Sequence, residues 1–180
     1  MRIIGGIKGG LRIIGTNKLN IRPTKDIAKE ALFNILKNKL DYANSNALDL
    51  FSGTGAISYE FGSLGVPKIT SVDISLNCIK FISSTAKTLD LNNNITVIKA
   101  DVMQFLRNCS QSYNIIFADP PYNFNNYHNL INGIFSNKLL SRYGLLIIEH
   151  NHSLDLEEIP QFISKRKYGK SAFSFFENID

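Results

Sequence analysis

The sequence predicts an α/β protein. A mostly parallel seven-stranded sheet with helices on both faces closes in a C-terminal antiparallel hairpin, and a small N-terminal hairpin and helix precede it. Three observations predict this. From residue 46 onward, short apolar runs alternate with segments of helical periodicity, the pattern of a parallel α/β sheet. Four successive apolar runs lead into an acid, at Asp49, Asp73, Asp101 and Asp119. In an open parallel sheet ligands bind outside the carboxyl ends of the strands, so four acids there predict one continuous cleft. The tail then changes character, with two strand-like runs flanking Tyr168-Gly169-Lys170.

Residues 1–22 mix glycine, basic and β-branched residues. Arg2-Ile3-Ile4 and Leu11-Arg12-Ile13-Ile14 read as two short strands of a basic hairpin around Gly5-Gly6 and Gly9-Gly10. Arg22-Pro23-Thr24 opens a helix, with Thr24 as cap and Asp26 in its first turn. Ile27, Ala28, Ala31, Leu32, Ile35 and Leu36 form its apolar face. Residues 1–40 are thus expected to be a basic extension packed on a main domain of residues 41–180.

In the main domain, strands are expected at Ala47–Phe51, Ile69–Val72, Ile95–Ile98, Ile115–Ala118 and Leu145–Glu149. Helices are expected at Ala56–Leu64, ended by Gly65 and Pro67, from a Ser75 cap to Leu89, and over Tyr127–Leu140. Phe162–Lys167 and Ala172–Glu177 form the closing hairpin.

At 180 residues the chain suits one domain with a small appendage. No apolar run reaches transmembrane length, and the apolar stretch of MRIIGGIKGG is too short for a signal peptide. No membrane partner is expected. Cys78 and Cys109 share no metal-ligand spacing and form no CxxC pair, which fits a reducing, cytoplasmic setting with no metal. The net charge of +5 is uneven: residues 1–39 carry +7, residues 40–144 balance, and residues 145–180 carry −2. A basic arm on a neutral body suggests a polyanionic partner, most simply nucleic acid.

Asp119-Pro120-Pro121-Tyr122 is the most informative stretch. It follows a buried strand and makes a small rigid pocket. The acid accepts hydrogen bonds from an amine, the prolines fix the backbone, and the tyrosine offers a face for a planar ring. Such a pocket suits the exocyclic amine of a nucleobase. Upstream, Asp49-Leu50-Phe51-Ser52-Gly53-Thr54-Gly55-Ala56 runs from strand through a glycine turn into a helix. It is a poor dinucleotide fingerprint: Ser58 stands where the third glycine would fall, and Asp49 opposes a pyrophosphate while favouring a cation. S-adenosylmethionine carries both an ammonium and a sulfonium. Asp73, 24 residues after Asp49, sits near the spacing at which an acid grips ribose hydroxyls. Asp101 could accept from an adenine amine while Val102 packs on the ring. Each acid alone is equally a strand-end polar residue; together they carry more weight.

The order of Asp49–Ala56, Asp73, Asp101 and Asp119–Tyr122 resembles the Rossmann-like class I S-adenosylmethionine-dependent methyltransferases. More narrowly, the chain resembles the bacterial 16S ribosomal RNA guanine-N2 methyltransferase family. The shared signals are Arg2-Ile3-Ile4-Gly5-Gly6, Arg22-Pro23-Thr24, Glu30–Leu36, Leu48–Gly55, Asp119–Tyr122 and Lys167-Tyr168-Gly169. The sequence departs from that pattern at Thr85, where an Asn is expected, and in a short Asn-rich loop after Tyr122.

The resemblance implies roles. Asp49, Gly53 and Gly55 would hold the amino-acid end of S-adenosylmethionine, Asp73 its ribose hydroxyls, and Asp101 and Val102 its adenine, with Phe51 and Ile74 also binding the cofactor. Asp119, Pro120, Pro121 and Tyr122 would receive the guanine, and Arg2, Lys8, Arg12 and Arg22 would contact RNA. The implied partner is 16S ribosomal RNA, within the small subunit or an assembly intermediate, met by a monomer. Neither cysteine follows a proline, which argues against carbon-5 pyrimidine chemistry. His128, His150 and His152 form no metal set and are read as surface or strand-edge residues. Glu149 is read as a strand-end acid that could border the cleft. Three rivals stay open: an adenine-N6 methyltransferase acting on DNA or RNA, a nicotinamide-dependent oxidoreductase, and a non-catalytic RNA-binding relative.

Overall fold

The computed structural model describes residues 1–14 and 26–179. The expected cap Thr24 and the expected RNA contact Arg22 lie outside these. In chain order the elements are α1 (Asp26–Leu36), β1 (Asn46–Leu50), α2 (Ala56–Ser63), β2 (Lys68–Asp73), α3 (Leu76–Thr88), β3 (Ile95–Lys99), α4 (Val102–Asn108), β4 (Tyr113–Ala118), α5 (Tyr127–Ser136), β5 (Leu140–Asn151), β6 (Phe162–Tyr168) and β7 (Ser171–Glu177).

One seven-stranded sheet runs β3-β2-β1-β4-β5-β7-β6. The pairs from β3 to β5 are parallel, and β7 lies antiparallel between β5 and β6. The chain fills β1, β2 and β3 outward and then returns to β4 on the other side of β1. The crevice between β1 and β4 is therefore the topological switch point.

Both faces are covered. Ala47, Ile115 and Ile147 pack with Leu32 and Leu36 of α1, Ile57 and Phe61 of α2, and Ile82 of α3. Leu48, Ile116 and Ile148 pack with Leu106 of α4 and Leu130 and Ile134 of α5. This alternation fixes which face each strand-end acid takes.

All eight residues of α2 are buried. The sheet covers one side and the N-terminal arm covers the other. Glu60 accepts from the Ile4 and Gly5 N–H groups at 2.7 and 3.3 Å, and Ser63 Oγ accepts from the Lys8 N–H at 2.9 Å. Gly6 has φ +74°, and a Cβ there would stand 1.9 Å from the Ser63 carbonyl oxygen, so only glycine permits this approach.

Helix α5 stops at Ser136 and β5 already begins at Leu140, where a helix was expected, and the structure departs from the sequence reading in four further places. The arm makes a single Arg2–Arg12 bridge around a 3-10 turn at Gly6–Lys8 instead of two strands, held by Ile3 N–H to Leu11 O at 3.0 Å and Ile13 N–H to Met1 O at 2.9 Å. On α1 the buried stripe is rotated: Ile27 is exposed, whereas Lys29 and Phe33 are buried. Lys29 reaches inward because Glu60 neutralises it. Asp101 does not end a strand; β3 stops at Lys99 and Asp101 caps α4, a helix the reading lacked. Only Val102 and Leu106 of α4 are buried, too few to show a period. His150 is buried within β5, not a surface group.

Candidate active site

A cavity of about 670 Å³ opens beyond the carboxyl ends of β1, β2, β4 and β5. Eleven of the twelve residues expected at a cofactor or base site line it: Asp49, Phe51, Gly53, Asp73, Ile74, Asp101, Val102, Asp119, Pro120, Pro121 and Tyr122. Gly55 stands behind the wall, where it starts α2. Arg2, Lys8 and Arg12 do not line the cavity; they belong to the arm over α2. Arg2 and Arg12 are exposed, and the Lys8 ammonium lies 3.6 Å from the Asp90 carboxylate.

The turn after β1 is shaped by left-handed backbone at Phe51 (φ +57°), Gly53 (φ +54°) and Gly55 (φ +78°). A Cβ on Gly55 would come within 2.8 Å of Tyr59 Cζ and 3.0 Å of Ile82. Asp73 braces the turn: its Oδ2 accepts the Gly53 N–H and its Oδ1 the Ser75 N–H, both at 2.8 Å. Asp101 spends one oxygen on the Gln104 N–H at 2.9 Å, capping α4.

Asp49 sits one residue inside the end of β1 and is buried. Its carboxyl accepts the Ser58 N–H at 3.1 Å and the Ser58 hydroxyl at 2.5 Å. Burial pushes its pKa up to about 7; the Ser58 hydrogen bonds oppose the rise and the Asp73 charge adds to it.

Asp119 follows the end of β4, with its N–H directed at the Leu50 carbonyl at 3.4 Å. Pro120 is buried and Tyr122 stands exposed at the mouth. The loop turns back through Phe124 N–H to Pro121 O at 2.8 Å. An aromatic chain then carries it into the body: Phe51 to Phe124 at 5.4 Å, Phe124 to Tyr127 at 5.1 Å, and Tyr127 to His150 at 6.3 Å. Burial, then the charges of Glu149 and Asp49, hold the Asp119 carboxyl well above the usual carboxylate range.

Several lining residues were not expected at a site: Ala28, Tyr127, His150, Asn151, Tyr168, Lys170 and Ser171, while Glu149 was only a possible border. The signal for Glu149 was present, since it follows Leu145–Ile148 as Asp119 follows Ile115–Ala118. His150 Nδ1 meets the Asn151 carbonyl at 2.8 Å and Nε2 meets Ser174 Oγ at 2.7 Å. The carbonyl can only accept, so Nδ1 carries the proton and the Ser174 hydroxyl donates to Nε2. Burial lowers the His150 pKa, favouring this neutral ring.

The residues lining the cavity fall into two sets, or lobes, by their chemistry. The glycine turn with Asp49, Asp73, Asp101 and Val102 suits a ligand bearing cations, hydroxyls and a flat ring. Asp119–Tyr122 with Glu149 suits a second planar group rich in N–H donors.

The family model described as conserved hypothetical protein 95 matches residues 1–177. A protein of Buchnera aphidicola subsp. Baizongia pistaciae called ribosomal RNA small subunit methyltransferase D is 32% identical over 100% of this chain and 93% of its own length. The Escherichia coli protein of the same name is 27% identical over 96% of this chain and 91% of its own length. Among solved structures, yhhF from Escherichia coli matches with a TM-score of 0.83 and 26% identity, covering 99% of this chain and 97% of that one.

Proposed function

The chain belongs to the conserved hypothetical protein 95 family, which includes ribosomal RNA small subunit methyltransferase D, and from that premise we propose that it methylates the N2 amine of a guanine in 16S ribosomal RNA. The coarser reading, an S-adenosylmethionine-dependent ribosomal RNA methyltransferase, follows from membership. We propose further that it acts as a monomer in the cytoplasm, on the small subunit or an assembly intermediate. Among the described residues no helix is long and apolar enough to cross a membrane.

The observation that carries the reading is that Asp49 and Asp119 border one cavity at the switch point, with the acid-lined glycine turn on one side and Pro120-Pro121-Tyr122 on the other. S-adenosylmethionine fits the turn lobe: a buried carboxyl pushed up to about 7 is one whose ionised form lacks a cation. Bound there, the cofactor supplies an electrophilic methyl. Asp49 would face its ammonium, Asp73 would accept from its ribose hydroxyls, and Asp101 and Val102 would hold its adenine.

Asp119 and the Pro120 carbonyl accept hydrogen bonds from the guanine amine, drawing its nitrogen toward tetrahedral geometry and localising a lone pair otherwise spread into the ring. Held in this way by Asp119 and Pro120, the nitrogen would take the methyl that the cofactor supplies, and the electron pair of the broken carbon–sulfur bond would stay on sulfur. The amine proton passes to the Asp119 carboxylate and on to solvent. Alignment of the reacting atoms supplies much of the rate. Tyr122 stacks on a base drawn out of its helix or loop.

The test is methylation of 16S RNA and of 30S particles with labelled cofactor, followed by mass mapping. The expected product is N2-methylguanine; N6-methyladenine would favour the rival chemistry.

A further inference from the structure

We propose that Glu149 reads the ring N1–H of the target guanine, so that Asp119 and Glu149 together accept the two adjacent N–H donors of that base edge and reject an adenine edge. This deepens the guanine reading above and rests on it.

The placement comes from strand register. Ala118 of β4 pairs with Ile148 of β5, so Asp119, just past the end of β4, and Glu149, still within β5, stand at the same level on neighbouring parallel strands. Phe117 and Ile147 lie on the same face of the sheet, in the core shared with α1, α2 and α3. Two residues on, Asp119 and Glu149 repeat that orientation, and both line the cavity. Glu149 is buried, and Phe173 of β7 pairs beside it. Tyr127 of α5 lines the cavity near both acids, and Tyr168 and Lys170 line it from the β6–β7 turn. Glu149 raises the Asp119 pKa through its charge, which places the two carboxyls within electrostatic reach.

Guanine presents the N1–H and N2–H groups side by side, two donors along one edge. Adenine presents its amine beside the N1 lone pair. Two acceptors therefore match guanine, whereas on adenine one carboxylate would face a lone pair. A site built to hydrogen-bond a donor discriminates strongly against an analogue that lacks it, because its buried polar group is left unpaired. Glu149 in this role is a specificity residue; Asp119 alone would hold either amine.

2-Aminopurine separates the two contacts, since it keeps the 2-amine and replaces the N1–H with a lone pair. Small-subunit RNA carrying guanine or 2-aminopurine at the mapped position would be methylated with labelled cofactor by the wild-type protein and by Glu149→Gln. The wild type is expected to prefer guanine by about 100-fold or more. Glu149→Gln, whose amide donates to N1, should narrow that ratio by about tenfold or more while cofactor affinity holds. Equal use of both purines by the wild type would overturn the proposal without any variant. An equal loss on both purines in folded, cofactor-binding Glu149→Gln would overturn it too. Methyl mapped to adenine N6 would overturn the guanine reading and this one with it, whereas methyl transferred equally fast to N2 of both purines overturns only this one.

Discussion

Lys29 Nζ lies 2.7 Å from Glu60 Oε1, and both side chains are buried. The pair fastens the basic arm to the helix that starts at the glycine turn. Lys29 also donates to the Arg2 carbonyl, and Glu60 also accepts from Ile4 and Gly5. Both charges are therefore compensated, and neither partner can be removed alone without leaving a buried charge.

Lys29→Met is therefore expected to cost about 3–5 kcal/mol in urea unfolding. Asp90→Ala, which frees the Lys8 ammonium at the surface, should cost no more than about 1 kcal/mol. Similar losses from the two variants would contradict the distinction between buried and exposed pairs.

The arm's place over α2 sharpens the test of its charge. Ile3 and Ile13 are buried in the main core, so deleting the arm would damage folding along with RNA binding. Arg2→Gln with Arg12→Gln leaves the packing alone, because both side chains are exposed. RNA affinity should fall, and the slope of log affinity against log salt should weaken by roughly 1.4–1.8 for two lost phosphate contacts. Calorimetric titration with the cofactor should show no change.

Asp49 gives a pH prediction. Its folded pKa of about 7 lies above that of the unfolded chain, so the folded state holds a proton the unfolded state has lost. This contribution to stability is fully present below pH ~4 and lost as pH rises toward ~7, by at most about 4 kcal/mol. Asp49→Asn removes the slope: by thermal melts it should match the parent near pH 4 and exceed it at pH 8. It should also bind the cofactor more weakly. In the wild type a bound cation favours the ionised carboxyl, so cofactor affinity should rise from pH 6 to pH 8 with proton release. Flat affinity over that range would contradict the role given to Asp49.

Gly55→Ala should be both less stable and weaker for the cofactor. The added methyl meets Tyr59 and Ile82 at φ +78°, and overpacking plus a left-handed alanine cost about 2–4 kcal/mol together. Thermal melts and titration with the cofactor check the two effects.

The parallel sheet was legible because strands covered on both faces read as continuous apolar runs, such as Ile115–Ala118. The acids were legible as a set and not singly, because Asp49, Asp73 and Asp119 fall at or beside the ends of strands that share one edge of the sheet, while Asp101 caps α4. What escaped was held by pairing instead of periodicity. Lys29 is buried only because Glu60 sits 31 residues further along the chain, a distance no local pattern reports. α4 is announced by its cap, Asp101, and not by its short apolar face. The burial of His150, read as a surface or strand-edge group, escaped because its partner Ser174 belongs to β7 and lies 24 residues later.

The most direct measurement is methyl transfer by Asp119→Ala to small-subunit RNA at saturating cofactor, with cofactor affinity determined on the same preparation. Affinity is expected to stay within about threefold, because Asp119 lies in the other lobe, while transfer falls by roughly 10²–10⁴-fold. Normal turnover by this variant would contradict the assignment of Asp119 to the target amine.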